Sequence, residues 1–291
     1  MMSSNYTADL AMILNPANIN LRESQIMAIV NLTPDSFYGA SRRTTEESIA
    51  ERVRQIIDEG ASIIDVGAYS SRPGADDVSV AEEMERLRLA LKTVRSVSPE
   101  AVVSVDTFRS DVARMCVEEY GADIINDISG GCLDKDMYAA VASLGVPYVL
   151  MHMRGTPADM QASPHYDNLV GEVMMYFAER VQRLRDLGHK DIILDLGFGF
   201  GKTLDHNYEL FSRMDMFADM FGLPMLVGVS RKSMIYRLLG GEPSDALNGT
   251  TALNVMALMK GARILRVHDV KECVEAVRLF EKMKSFEDGK I

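Results

Sequence analysis

The chain has 291 residues, of which 47% are hydrophobic and 25% are charged, so it has the length and composition of an ordinary globular protein. Its formal net charge of -11 excludes general nucleic-acid binding, which needs clustered Lys and Arg, and leaves any anionic ligand to a local cationic site. Cys116, Cys132 and Cys273 form no metal-binding pair and indicate a reducing cytoplasm, and no apolar run is long enough to span a membrane.

The first 24 residues are polar and irregular, and we interpret them as a lead-in that covers one end of a domain formed by residues 25–291. From residue 26 onward, short apolar runs rich in Val and Ile alternate with longer segments of helical periodicity. We predict that these runs are eight β-strands, at residues 26–30, 63–66, 102–105, 124–126, 147–151, 192–194, 224–227 and 264–267.

Apolar residues between the runs recur at helical spacing, as in Ile49, Val53 and Ile56. Near-continuous apolar strands separated by helices indicate a parallel sheet that is covered by helices. Eight such units favour a single α/β domain, a (β/α)8 TIM barrel, which typically needs about 250 residues. The alternative is a doubly wound open sheet. No linker divides the chain, so we predict one domain with a short N-terminal extension.

The active site of a TIM barrel lies at the C-terminal ends of its strands. Polar or charged residues lie at or shortly after the C-terminal ends of the predicted strands: Asn31, Ser70, Ser71, Arg72, Asp106, Asn126, Asp127, His152, Asp195, Ser230, Arg231, Lys232, Arg266 and His268. Each of these residues has a structural alternative, such as capping a turn or a helix. Their convergence on one barrel mouth favours a ligand site.

The chemistry of this set is divided. Asp106, Asn126 and Asp195 offer hydrogen-bond acceptors suited to a heterocycle with ring N–H donors. Cationic donors suited to phosphate oxygens come from Arg72, Lys232, Arg266 and His268. We therefore expect a ligand with an anionic end and a donor-rich heterocyclic end.

Asp195 opens a loop in which glycine and phenylalanine alternate, from Gly197 to Gly201, before Lys202. A phosphate-binding loop of the form Gly-x-x-x-x-Gly-Lys would need glycine at position 196, where the chain has Leu196. The dinucleotide pattern Gly-x-Gly-x-x-Gly also fails. What remains is a strand that ends in Asp195 and a backbone with little side-chain bulk beside two phenylalanines, and the loop alone leaves open what the carboxylate faces.

Seven segments, in chain order, resemble the dihydropteroate synthase family. They are residues 29–37 (IVNLTPDSF), 72–75 (RPGA), 104–107 (SVDT), 125–127 (IND), the loop after Asp195, 230–233 (SRKS) and 266–270 (RVHDV). The resemblance runs from about residue 24 to residue 285. It implies a TIM barrel that joins 6-hydroxymethyl-7,8-dihydropterin pyrophosphate to p-aminobenzoate and releases pyrophosphate in folate synthesis.

The resemblance also implies roles for single residues. Asp106, Asn126, Asp195 and Lys232 would bind the pterin and form the catalytic set, with both carboxylates stabilising a pterin methylene cation after pyrophosphate has left. The pyrophosphate would lie against Ser71, Arg72, Arg266 and His268. Asn31 would hold a Mg²⁺ ion. Met151 and Gly228 are further predicted substrate contacts.

The second substrate is expected between two walls. The loops at residues 32–45 and 68–79 are long for strand-to-helix connections, so they are candidates for a mobile lid that carries Asp35, Phe37, Ser70, Ser71 and Pro73. Phe200, Ser230 and Lys232 would form the opposite wall. By the same resemblance, sulfonamides compete with p-aminobenzoate, and two copies of the chain pair through the later helices as a homodimer.

The chain departs from the family pattern at Tyr69, Leu196 and Gly39-Ala40, where the family usually has an acid, a proline and further glycine. These departures concern the lid and the arylamine site rather than the pterin site. Two alternatives remain: a pterin-binding methyltransferase acting on a corrinoid, which would not need the cationic set that includes Arg231, and a barrel that binds pterin without activity.

Overall fold

The strands form a closed parallel barrel, preceded by a short antiparallel pair. The structure is a computed structural model that describes residues 13–14, 19–32, 42–69, 78–156, 160 and 164–287. The antiparallel pair consists of β1 (Ile13–Leu14) and β2 (Ile19–Asn20). The barrel strands are β3 (Gln25–Asn31), β4 (Ile63–Gly67), β5 (Val102–Asp106), β6 (Ile124–Asp127), β7 (Tyr148–Met151), β8 (Ile192–Asp195), β9 (Met225–Val227) and β10 (Ala262–Val267).

Each barrel strand pairs in parallel with its neighbours in chain order, and β10 closes the barrel against β3. The prediction of eight strands in a TIM barrel is therefore confirmed, and the open doubly wound sheet is excluded. Several strands run one residue further than predicted. They include Asn31, Asp106 and Asp195 as their last residues, so the backbone of these polar residues is fixed by the barrel itself.

Helices cover the outside of the barrel. They are α1 (Arg42–Asp58), α2 (Val80–Val97), α3 (Ser110–Tyr120), α4 (Met137–Leu144), α5 (Leu169–Asp186), α6 (Leu204–Ser212), α7 (Met214–Phe221), α8 (Ser233–Leu239), α9 (Leu247–Met259) and α10 (Val270–Glu287). A 3-10 helix, Pro243–Ala246, lies between α8 and α9. None of the helices in the described part of the chain has the length and apolar character that crossing a bilayer requires.

The predicted helix faces are buried against the strands. On α1, Ile49, Val53 and Ile56 are buried, because residues three and four positions apart share one side of a helix. Local signals set the helix ends: the Thr203 side chain accepts a hydrogen bond from the His206 backbone at the start of α6. This cap fixes where the chain turns from the loop after Asp195 into α6.

The interior of the barrel is packed in layers. Its lower layer is apolar and includes Met27, Ile63, Ile124, Val149, Ile193, Leu226 and Ile264. Ile19 and Leu21, which precede the barrel, are buried in the same cluster and close this end. The division of the chain into a lead-in of residues 1–24 and a barrel of residues 25–291 stays a prediction.

Candidate active site

Polar side chains occupy the opposite end of the barrel interior. Successive side chains on a strand alternate between its two faces, so residues two positions apart lie on the same side. Counting in twos from the apolar lower layer leads to the polar mouth, at Asn31, Asp65, Asp106, Asn126, Met151, Asp195 and Arg266. Asp127 has the opposite parity, and its carboxylate accepts a hydrogen bond from the Tyr148 hydroxyl at 2.6 Å outside the mouth.

An ion-pair network crosses the mouth. Arg266 on β10 donates from Nε to Asp65 Oδ2 at 2.7 Å and from Nη2 to Asp106 Oδ2 at 2.8 Å. Asn126 Nδ2 lies 3.4 Å from each carboxylate oxygen of Asp65. Asp65 is completely buried, and Arg266 is the cation that pairs with it. One guanidinium therefore holds strands β4, β5 and β10 together at the site.

The sequence predicts that Arg266 binds the phosphate end of the ligand, and in the structure its guanidinium lies among the acids of the mouth. Arg266 directly contacts Asp106, because β10 pairs with β3 in the closed barrel and its side chain reaches across the mouth. The cationic and acidic groups thus form one mixed cluster. Arg266 still has a partly exposed side chain that can meet a ligand.

Burial sets the protonation of the acids in this cluster. Burial raises the pKa of Asp106 to about 7, an effect that Arg266 opposes and Asp65 reinforces. Burial also raises the pKa of Asp195, which Lys232 partly offsets. A ligand that brings N–H donors or positive charge would favour the ionised form of both carboxylates. Binding of such a ligand would therefore lower the pKa of both carboxylates.

Asp195 and Lys232 both contact the Gly-Phe loop. Asp195 Oδ1 accepts a hydrogen bond from Gly197 N at 2.8 Å, which orients the carboxylate. Lys232 Nζ donates to the Phe198 carbonyl and lies 4.6 Å from the centre of the Phe200 ring. Burial lowers the pKa of Lys232 to about 8, and Asp195 opposes this shift. The amine therefore remains largely protonated at neutral pH.

An apolar wall adjoins these groups. Ile128, Met151, Met153 and Met160 form a buried cluster, and Phe200 packs against it together with Phe108. The predicted contacts Met151 and Phe200 are thus brought together. This wall can cover the face of a flat ring while the carboxylates and amide bind its edge.

His268 and Ser230 form a separate pair beside Arg266. The Ser230 hydroxyl lies 3.0 Å from His268 Nδ1 and accepts from His268 N at 3.2 Å. Burial, followed by the nearby Arg266, lowers the pKa of His268 to about 4. His268 is therefore neutral at pH 7. In this state the ring can contribute a neutral hydrogen bond, and its contact with pyrophosphate stays a prediction.

The remaining predicted residues divide into three groups. Asn31 ends β3 at the mouth, and Gly228 follows β9, where an added Cβ would lie 3.7 Å from Arg266 Cβ. Arg231 is held in a bidentate pair by Asp269, at 2.7 and 2.9 Å, which opposes its expected part in a phosphate clamp. Six predicted residues lie outside the described residues: Asp35, Phe37, Ser70, Ser71, Arg72 and Pro73.

Sequence reasoning missed two buried charged residues. Asp65 lies inside an apolar strand, and burial of an unpaired carboxylate there would be energetically unfavourable. An acid within such a strand therefore indicates a partner across the barrel, and this feature of the sequence could have identified Asp65. Lys202 is 3% exposed and donates to His152 Nδ1 at 2.9 Å. Its burial could not be read from the sequence, because lysines that follow glycine-rich loops are usually exposed.

The comparisons with known proteins agree with this geometry. The family described as pterin binding enzyme matches residues 27–268. The chain is 43% identical to dihydropteroate synthase of Escherichia coli K12 over 277 residues, which cover 94% of this chain and 96% of the relative. The chain belongs to the pterin-binding enzyme family, among its dihydropteroate synthases.

Solved structures of dihydropteroate synthases have the same fold. The Yersinia pestis enzyme in complex with a sulfonamide drug is 38% identical, with a TM-score of 0.83, and the alignment covers 92% of this chain and 96% of that one. The Xanthomonas albilineans enzyme with 4-aminobenzoic acid is 37% identical, with a TM-score of 0.84 and coverage of 92% and 95%. This dihydropteroate synthase is thus an enzyme, a transferase of folate synthesis, that acts on small molecules.

Proposed function

We propose that this dihydropteroate synthase condenses 6-hydroxymethyl-7,8-dihydropterin pyrophosphate with p-aminobenzoate to give 7,8-dihydropteroate and pyrophosphate. The observation that carries the proposal is the mixed cluster of Asp106, Asn126, Asp195, Lys232 and Arg266 beside one apolar wall. This set offers acceptors to the pterin edge, donors to its carbonyl and to phosphate, and a surface for the ring.

Asp195 is the proposed anchor of the pterin. The 2-amino group and N3–H of the pterin form an edge with two donors, which one carboxylate can accept in paired hydrogen bonds. Asp195 is 6% exposed, and the hydrogen bond from Gly197 N holds its carboxylate in one orientation. The carboxylate therefore loses little conformational entropy when it binds the pterin. Lys232, on the other side of the loop, would donate to the pterin carbonyl and ring nitrogen.

Charge is the proposed means of catalysis. The C–O bond to pyrophosphate breaks first and the leaving group takes the electron pair, which leaves a cationic methylene carbon on the pterin. Asp106 and Asp195 stabilise this carbon electrostatically. The arylamine nitrogen then forms the new C–N bond and gives up a proton. No side chain needs to form a covalent bond to the substrate.

Asn31 is the proposed protein ligand of Mg²⁺. In the described part of the chain, no group of three His, Cys, Asp or Glu side chains could hold a metal ion. Mg²⁺ commonly takes few protein ligands together with substrate phosphates and water, so a single amide oxygen at the barrel mouth fits this pattern. The bound ion would supply positive charge that neutralises the departing pyrophosphate.

The arylamine is proposed to bind at the partly exposed side of the apolar wall. Phe200 would contact its ring, with Ser230 and Lys232 as the neighbouring polar groups. The structure of the Xanthomonas albilineans relative with 4-aminobenzoic acid and that of the Yersinia pestis relative with a sulfonamide drug support this substrate and predict competition by sulfonamides.

A homodimer is proposed through the last helices. Large apolar side chains are exposed on α8, α9 and α10, at Leu238, Leu239, Met256, Met259, Leu279, Met283 and Phe286. Such a concentration on consecutive helices favours a protein interface. Sedimentation of the wild type and of Leu239→Glu tests this proposal, and a monomeric wild type would contradict it.

We also propose a cytoplasmic location, which three free cysteines support.

The activity is tested by adding both substrates to the purified enzyme with and without Mg²⁺. We expect dihydropteroate and pyrophosphate in equal amounts, with loss of activity after chelation. Binding of pterin pyrophosphate without consumption would instead support a binding barrel. Methyl transfer from a reduced folate to a corrinoid, without condensation, would support the methyltransferase alternative.

A further inference from the structure

Lys202 places a buried side-chain amine behind the Gly-Phe loop. Its side chain is 3% exposed, although a lysine side chain is rarely fully buried unless it is paired. Nζ donates to the Gly197 carbonyl at 2.8 Å and to the Phe200 carbonyl at 3.0 Å, and it lies 2.9 Å from His152 Nδ1. Nζ also lies 3.4 Å from the His152 carbonyl oxygen, so its hydrogen-bond partners belong to the loop and to the residue that follows β7.

The loop is pressed directly onto the chain that follows β7. At Gly197, which has a φ of 66°, an added Cβ would lie 1.9 Å from the His152 carbonyl oxygen. At Gly201, with a φ of 60°, it would lie 2.5 Å from the Arg154 carbonyl oxygen. The glycines are therefore required by backbone contact, and the space left between the two segments is occupied by the Lys202 side chain.

The His152 ring can accept a hydrogen bond from the Lys202 amine. Burial, followed by the charge of Lys202, lowers the pKa of His152 well below its usual value, so the ring is neutral. Nδ1 then accepts the hydrogen bond from Lys202, and Nε2 carries the ring proton. Burial lowers the pKa of Lys202 to about 7, Asp195 opposes this shift, and Lys232 reinforces it.

The contacts of Lys202 lie within the segment that carries two proposed substrate contacts. Gly197, whose carbonyl accepts from Lys202, also orients the Asp195 carboxylate through its N–H. Phe200, whose carbonyl is the second acceptor, presents its ring to the apolar wall. The Lys202 amine is buried and hydrogen-bonded within the protein, so it is not a group that contacts substrate.

We propose that Lys202 is a positioning residue, whose buried side-chain amine fixes the loop of residues 197–201 against His152 and thereby positions Asp195 and Phe200 for pterin and arylamine binding. This inference rests on the proposed function of the site. Displacement of binding groups by about 1 Å can reduce catalysis by about 100-fold, so a large effect is expected from a residue that touches neither substrate.

Replacement of Lys202 by methionine tests the proposal. Lys202→Met keeps the length of the chain and removes its three donors, and Lys190→Met is a matched control at an exposed position just before β8. Calorimetry with pterin pyrophosphate is expected to show affinity lower by about 10- to 100-fold for Lys202→Met and unchanged for Lys190→Met. NMR of ¹⁵N-labelled histidine is expected to show a changed Nδ1 signal of His152 only in Lys202→Met.

His152 provides a second test if Lys202→Met does not fold. His152→Phe removes one acceptor, whereas His152→Gln keeps an acceptor oxygen, so we expect weakened pterin binding in the first and rescue in the second. Folded variants at Lys202 and His152 that bind pterin as the wild type does would overturn the positioning role. Failure of the wild type to bind pterin at all would instead contradict the proposed function of the site.

Discussion

The guanidinium of Arg266 lies against the carboxylate of Asp106, with Nη2 2.8 Å from Oδ2, although the two residues are 160 positions apart in the chain. The same guanidinium contacts Asp65 Oδ2 through Nε at 2.7 Å. Closure of the barrel brings these strands together, so the charge balance of the site depends on the fold as a whole. Two carboxylates share one guanidinium, so the positive charge proposed to form on the pterin methylene carbon would be met by acids that are incompletely neutralised.

Removal of the Arg266 charge is expected to destabilise the fold. Arg266→Met leaves Asp65 completely buried without its cation, and such unpaired buried charges cost about 3–5 kcal/mol. The free energy of unfolding in urea measures this loss. In the double variant Arg266→Met with Asp65→Asn, most of the stability should return, because no charge is left unpaired. A single variant as stable as the wild type would contradict the assigned pairing.

The substitution Asp195→Asn is expected to weaken pterin binding while leaving the stability of the fold nearly unchanged. The asparagine oxygen can still accept from Gly197 N, so stability should change little. The paired charge-assisted hydrogen bonds to the pterin are lost, each worth about 1.5–3 kcal/mol, and the Kd for pterin pyrophosphate should rise about 100-fold or more. Calorimetry measures the Kd. The control is Asp186→Asn, an exposed acid at the end of α5, and unchanged affinity in Asp195→Asn would refute the role of Asp195 as anchor.

Lys202 should make stability depend on pH in a defined direction. Burial lowers its pKa to about 7, whereas in the unfolded chain it has the ordinary value of 10.5. Between these values the unfolded state binds more protons, so the free energy of unfolding gains a contribution that rises with pH. The difference in stability between wild type and Lys202→Met should therefore increase from pH 7 to 10. Lys190→Met should show no such trend.

The sequence predicted more of the fold than of the site. The eight apolar runs were sufficient to predict the barrel. Because the active site of a TIM barrel lies at the C-terminal ends of its strands, the strand ends then identified Asp106 and Asp195 as candidate site residues. The partnership of Arg266 with Asp65 spans 201 positions and depends on how β10 closes the barrel, which no local pattern contains. The neutral state of His268 likewise depends on burial by distant segments.

Two glycines with positive φ allow the loop packing to be tested independently of Lys202. Gly188 has a φ of 82° and open space around an added Cβ, so Gly188→Ala should cost only the strain of the left-handed conformation, about 1–2 kcal/mol. Gly197→Ala carries the same strain, and its Cβ also collides with the His152 carbonyl. We expect a larger loss of stability in urea and strongly weakened pterin binding for Gly197→Ala alone. Equal effects of the two substitutions would mean that the loop does not need to lie against β7 for the site to form.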